Sequence, residues 1–228
     1  YKVEIGMKDL ISGFGKSLSK PNINKIASGI AITIILFLVN YWAASNLMGG
    51  QEFFINWSAG RLVFFDGKNP YLTQTINYIE QTAKAINVLP ELGGVHYSYP
   101  LYSLFLYFPF ALIQNFIIAR TLWLMFNEVL LFFSAHLIMQ LIGWPSEKKY
   151  VNFFLLFTFS FFYSLIALLQ GSDCIFLLFI LLVVLLWIDN RKFIGVGVLL
   201  SFLTIKPHLL VVPIIVIFYF LLIKKAKS

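Results

Sequence analysis

Glu52 stands a few residues after a long apolar run and opens a stretch, 51–65, with helical spacing. A carboxylate at such a boundary is half desolvated, which raises its pKa and strengthens it as a proton acceptor. The same residue also reads as an ordinary helix amino-terminal acid that favours the dipole and nothing more. Lys206-Pro207-His208 interrupts two apolar half-segments. A Lys at the centre of a bilayer costs about 3 kcal/mol on insertion scales, which makes it a functional candidate; snorkelling from a helix end is the other reading. His208 suits a phosphate or a metal, but one His makes no metal site. Asp173, after Gly171-Ser172, reads as the cap of a following helix and as a candidate for substrate contact. Asn69-Pro70-Tyr71 and Tyr97-Ser98-Tyr99-Pro100 bracket a polar stretch as interface anchors, with Asn69 and Tyr99 as further candidates for binding. Glu128 and His136 share one apolar segment, where they would pair within a bundle or mark a proton path. Arg61 and Arg120 are further cations near these motifs.

The elements that hold these residues belong in lipid. The chain of 228 residues is 60% hydrophobic and only 12% charged, with 25 Phe and a mean hydropathy of +0.85. A soluble domain carries about 25% charged residues, so a soluble enzyme, a disordered tail and a disulfide scaffold are all excluded. The net charge of +7 comes from small cationic clusters between apolar runs, not from a basic stripe interleaved with aromatics. That is the pattern of cytoplasmic loops and argues against nucleic acid as a partner. The single cysteine, Cys174, permits no internal disulfide and no cysteine metal site.

A crossing helix needs about 20 apolar residues. Residues 27–47 meet this and form the first span, which Gly49-Gly50 ends. Residues 1–26 are too polar to cross, although 7–18 could form a short surface helix. Residues 48–98 form a long external loop. Within it, 51–65 reads as an amphipathic interfacial helix with Phe53, Trp57 and Phe64 on one face, and 74–87 as a second surface helix. Further apolar segments lie at 99–116, 121–142, 151–169, 173–189, 193–205 and 207–223. The spacing therefore predicts an all-α, polytopic transmembrane helical bundle.

The amino-terminal segment, 147–149, 191–192 and 224–227 hold twelve of the seventeen Lys and Arg. By the positive-inside rule these are cytoplasmic, and 48–98, 171–173 and 206–208 then share the outer face. If 99–116 and 121–142 both cross, Lys148-Lys149 lands outside. The pattern is kept if 99–116, broken by Pro100 and Pro109, enters the bilayer and returns.

Taken in order, these motifs resemble glycosyltransferase family 87, polyprenyl-phosphate-sugar-dependent membrane enzymes of the C superfamily that include alpha-mannosyltransferases. The resemblance runs over 27–215 and rests on the acidic-aromatic start at Glu52-Phe53, Asn69-Pro70-Tyr71, Tyr97-Ser98-Tyr99-Pro100, the Gly171-Ser172 turn and Lys206-Pro207. It implies that the first external loop supplies a catalytic acid residue, normally Asp; here the position is Glu52. Family members usually read Tyr-Pro-Pro where this chain has Tyr99-Pro100-Leu101, and Gly-Gln where it has Gly171-Ser172. Members are also longer. The chain begins at Tyr1 rather than Met and ends just after an apolar run, so it reads as one transmembrane domain, the amino-terminal part of a longer enzyme.

The implied reaction moves a hexosyl (mannosyl-like) or pentosyl group from a polyprenyl-phosphate sugar to a lipid or glycan acceptor hydroxyl, with inversion. It would run at the external face of the plasma membrane, in contact with membrane lipids. Lys206 is the first choice for the donor phosphate, with His208 and Arg61 behind it. No cofactor is implied with certainty; a divalent metal assists some relatives, but no ligand cluster in this chain demands one. The geometric condition is that one phosphosugar reach both Glu52 and Lys206. The competing class is a transporter or lipid flippase built on Glu128 and His136, and a third is a noncatalytic scaffold.

Overall fold

The computed structural model describes residues 23–85, 97–189 and 193–209, together with 211, 213 and 215. The described residues are helical with no strand. In chain order the helices are α1 (Ile23–Asn46), α2 (Gln51–Asp66), α3 (Thr73–Ala85), α4 (Leu104–Ala111), α5 (Phe116–Leu141), α6 (Lys148–Ser160), α7 (Phe162–Gln170), α8 (Cys174–Asp189) and α9 (Phe193–Leu203). A short 3-10 turn, Leu101–Ser103, precedes α4. The chain divides into two units, Tyr1–Val39 and Asn40–Ser228, with the boundary inside α1. Of the first unit, only the α1 residues are described. The surface helix expected at 7–18, the basic clusters at 191–192 and 224–227 and much of the segment 207–223 lie outside the described residues.

Among the described residues, α1 and α5 are long and apolar enough to cross a membrane, and α6 with α7 make a third such segment if counted together. That pair bends by 52° at Phe161. Ser160 at the break turns its hydroxyl back to the carbonyl of Leu156 at 2.7 Å, a contact that competes with the helix ladder and favours bending. The segments expected at 173–189 and 193–205 appear as α8, 16 residues, and α9, 11 residues. Both fall short of the about 20 residues that a straight crossing requires. The 8-residue α4, with Pro109 inside it, is shorter still, so 99–116 does not form one straight spanning helix.

The second unit is organised around α2, and here the structure differs from the expected interfacial helix. Eight of its 16 residues are buried, among them Phe53, Phe54, Asn56, Trp57 and Leu62. Two adjacent buried Phe residues already fix a wide apolar arc. Phe53 stacks on Trp123 of α5 with centroids 5.3 Å apart, and Tyr107 of α4 stacks on the same indole at 4.8 Å. The result is an aromatic core of α2, α4 and α5. Side chains of α2 also bond carbonyls at the carboxyl end of α4 and just beyond it: Trp57 Nε1 donates to Phe110 O and Ile113 O, and Arg61 Nη1 to Ala111 O at 2.8 Å. α3, in the stretch expected as a second surface helix, is amphipathic, burying Thr75, Ile79 and Ala83 and exposing Gln74, Tyr78 and Gln81. A second core joins α8, α9 and the following turn through Leu177, Val184, Val196, Leu203 and Ile205.

α5 begins five residues earlier than the apolar run suggests, capped by Asn115, whose side chain accepts from Ile118 N at 3.1 Å. Arg120 is therefore not a boundary residue but lies inside the helix, 3% exposed. Its Nη1 donates to Ala44 O at 2.9 Å and Leu47 O at 3.2 Å, and its Nη2 to Leu169 O at 3.3 Å. One guanidinium thus ties the carboxyl ends of α1 and α7 to α5.

Candidate active site

Two tight turns bring the start of α2 to the turn between α7 and α8. Gly50, with φ 78°, precedes α2, and its N–H donates to Leu169 O at 2.7 Å. Gly171, with φ 70°, closes α7 in the left-handed conformation. A Cβ on Gly171 would lie 2.6 Å from Phe53 Cβ, so only glycine permits the approach. Trp123 Nε1 seals the junction with a 2.9 Å bond to Gly171 O. Because Phe53 faces Gly171, its neighbour Glu52 is delivered to Ser172 and Asp173.

Lys206 completes the cluster from the turn after α9, where Leu203 and Ile205 anchor the backbone in the core. Pro207 then starts the next helical turn, a position where its missing N–H costs nothing. The Lys206 ammonium is paired with Glu52 Oε1 and lies 2.7 Å from Asp173 Oδ1. Ser172 Oγ is 3.3 Å away and Cys174 Sγ 3.7 Å. Tyr99 stands over the ammonium, ring centroid at 5.6 Å, and donates its hydroxyl to Glu52 Oε1 at 2.9 Å. Side-chain exposure is 8% for Lys206, 1% for Asp173 and 20% for Glu52, so Glu52 is the carboxylate nearer to solvent.

Burial opposes the charge of each group, and the partners decide the outcome. For Lys206 the two carboxylates outweigh desolvation and hold the ammonium charged. For Glu52 desolvation raises the pKa, but Lys206 overrides it and the carboxyl sits below its usual range. For Asp173 desolvation wins: with Glu52 adding repulsion against the pull of Lys206, its carboxyl is pushed up to about 6. Tyr99 is raised by burial and by the charge of Glu52, so it remains a hydroxyl donor. The cluster therefore holds one cation between a firmly ionised acid and a more weakly ionised one.

Of the residues expected to form a site, Glu52, Lys206, Tyr99 and Asp173 meet. The carboxylate of Asp173 turns to Lys206 instead of capping α8, where Ser172 Oγ accepts from Cys174 N at 3.3 Å. Asn69 is one step removed: its side chain accepts from Tyr71 N, and the Tyr71 hydroxyl donates to Tyr99 O at 2.7 Å. Arg61 does not join the cluster. It lies nine residues from Glu52, about 13.5 Å along the helix, held by Ala111 O and stacked near Trp57 and Phe65. His208 is exposed, and among the described residues no hydrogen bond or ion pair links it to Lys206 or its partners. In the apolar segment, Glu128 accepts from Asn40 Nδ2 at 2.8 Å while His136 is exposed. Asn127 donates to Trp123 O at 2.9 Å, a packing role. Among the described residues no group of three His, Cys, Asp or Glu gathers as a ligand set, and an ammonium sits between the two carboxylates.

The family model of glycosyltransferase family 87 matches residues 97–228, more than half of the chain. Lys206, Asp173 and Tyr99 fall inside the matched residues and Glu52 outside them. No curated protein and no solved structure matches the chain.

Proposed function

The chain belongs to glycosyltransferase family 87, a membrane glycosyltransferase family, and we propose that its donor is a sugar on a polyprenyl phosphate. A hexosyl, mannosyl-like, or pentosyl group passes to a hydroxyl of a lipid or glycan acceptor at the outer face of the plasma membrane. The observation that carries this reading is the meeting of Glu52 and Lys206, 154 residues apart in sequence, at one partly open point.

The donor phosphate is already a good leaving group, so no general acid is needed. Lys206 stabilises the negative charge that develops on it as the glycosidic bond breaks. Glu52 takes the proton of the acceptor hydroxyl as its oxygen bonds to the anomeric carbon. Attack opposite the leaving phosphate is a single displacement with inversion, giving an alpha product from a beta-linked donor. While paired to Lys206, Glu52 is a poor base, its pKa held low. When Lys206 turns to the phosphate that pull weakens, and burial moves the carboxyl upward. The base is thus strengthened by the arrival of the donor. Tyr99 keeps the carboxylate oriented through its hydroxyl.

The test is transfer by the purified protein from a panel of beta-linked polyprenyl-phosphate hexoses and pentoses to extracted membrane lipids. Glu52→Gln should cut turnover by about 10²–10⁴-fold while leaving thermal unfolding cooperative. Undiminished transfer by that variant, or transfer from a nucleotide sugar in place of the lipid-linked one, overturns the reading.

A further inference from the structure

The phosphate reading leaves one member of the cluster without a task. Asp173 is the most buried of the three ionisable groups, 1% exposed, and its Oδ1 shares Lys206 with Glu52. Apart from that ion pair, neither Oδ1 nor Oδ2 has a hydrogen-bond partner. The groups around it come from every element of the site. Glu52 lies on α2, Tyr99 on the preceding loop, Tyr107 on α4 and Lys206 after α9, with Ser172 and Cys174 its chain neighbours. Lys206 is the only cation in this set.

With both carboxylates ionised, the three charges sum to minus one. A phosphodiester carries a further negative charge, and it can be held only if Lys206 leaves the carboxylates for it. Two buried carboxylates would then face each other without their shared cation. Like charges at hydrogen-bond range in a largely buried site do not both stay ionised, and one accepts a proton. Glu52, nearer to solvent and bonded by Tyr99, keeps its charge; Asp173, deeper and with a vacant oxygen, is the one to be neutralised.

We propose that Asp173 is a positioning residue that takes up one proton when the phosphate of the donor enters the site, freeing Lys206 for the anion while Glu52 stays ionised. The proton comes from solvent by way of the more exposed Glu52, rests on Asp173 during turnover and returns when the product phosphate departs. Once neutral, Asp173 can donate to Glu52 and hold it in place after Lys206 has moved. No bond other than O–H is made or broken on Asp173, so the step balances with solvent alone.

The inference rests on the lipid-phosphate reading, and the experiment separates the two. The probe is farnesyl methyl phosphate, a phosphodiester whose single charge does not change between about pH 5 and 9. Its affinity for the detergent-solubilised protein is measured across that range by calorimetry. Linkage predicts that Kd is flat below about pH 6 and weakens by up to about tenfold per pH unit above it. In Asp173→Asn, a permanently neutral isostere, the slope should vanish and affinity at pH 8 should exceed that of the wild type. A purely structural Asp173, needed only to anchor Lys206, predicts instead that Asp173→Asn loses affinity equally at every pH and keeps the slope; that result overturns the proposal. Should this variant fold poorly, the wild type alone decides. Binding heats in buffers of different ionisation enthalpy must show uptake of about one proton per phosphodiester between pH 7 and 8; no uptake refutes the idea. If the probe binds but Lys206→Met leaves affinity unchanged, or if it does not bind at any pH, the lipid-phosphate reading fails and this inference falls with it.

Discussion

Replacing Lys206 by Met removes the ammonium from between two carboxylates and leaves them facing each other. Glu52 and Asp173 are both pulled down by Lys206, so without it both rise. Breaking a buried ion pair by deleting one partner costs about 3–5 kcal/mol, and the exposures of 8%, 20% and 1% place this cluster in that regime. For a chain of this size the loss corresponds to roughly 6–20 °C in Tm. The sign with pH follows from linkage. In the wild type Asp173 is raised from 3.8 to about 6, so its contribution is complete at low pH and is lost as pH climbs through about 6. Glu52 is lowered from 4.5, so its contribution is present above that value and is lost as pH falls through its folded pKa. In Lys206→Met both carboxyls lie above their unfolded values, so stability continues to fall with rising pH beyond 6. The assay is thermal unfolding in detergent, followed by tryptophan emission, at pH 5 and pH 8. The gap between variant and wild type should be wide at pH 8 and should shrink at pH 5, by about 1.4 kcal/mol for each pH unit of restored protonation. Equal Tm values at pH 8, or a gap that does not change with pH, would refute the electrostatic account.

Gly171→Ala should lower stability by about 1–3 kcal/mol, because φ is 70° and the new Cβ would meet Phe53 at 2.6 Å. It should cost activity as well by pushing α2 and Glu52 off the turn, which Tm and turnover measured together will show. Arg61→Ala removes the bond to Ala111 O and should lower Tm, a charged hydrogen bond being worth about 1.5–3 kcal/mol. The KM for a polyprenyl-phosphate sugar should stay at the wild-type value, whereas a large rise would return Arg61 to the phosphate site.

The charged members of the cluster were legible in the sequence where a charged residue interrupts an apolar run. Glu52, Lys206 and Asp173 each stand out against lipid-type neighbours, since no apolar environment keeps such a group without a partner. Which of them pair was not legible, because pairing depends on the Gly50 and Gly171 turns that bring distant segments together. Arg120 shows the opposite failure. A cation inside 116–141 reads as the edge of a span, yet its partners are backbone carbonyls at the ends of two other helices, which leave no mark in sequence. Arg61 and His208 are cations at suitable boundaries, but residue type does not fix direction; Arg61 turns to the end of α4 and His208 to the surface. The helix 51–65 is read correctly in extent, and its adjacent Phe53 and Phe54 held the clue that it is packed on more than one side.

A structure of the protein with a phosphonate analogue of a polyprenyl-phosphate sugar, uncleavable at the anomeric linkage, would decide the assignment of the cluster. The account predicts a phosphonate oxygen within hydrogen-bond distance of Lys206 Nζ, with the Glu52 carboxylate on the far side of the anomeric carbon. A headgroup bound beside Arg61 or His208, with Lys206 still locked between Glu52 and Asp173, would contradict it.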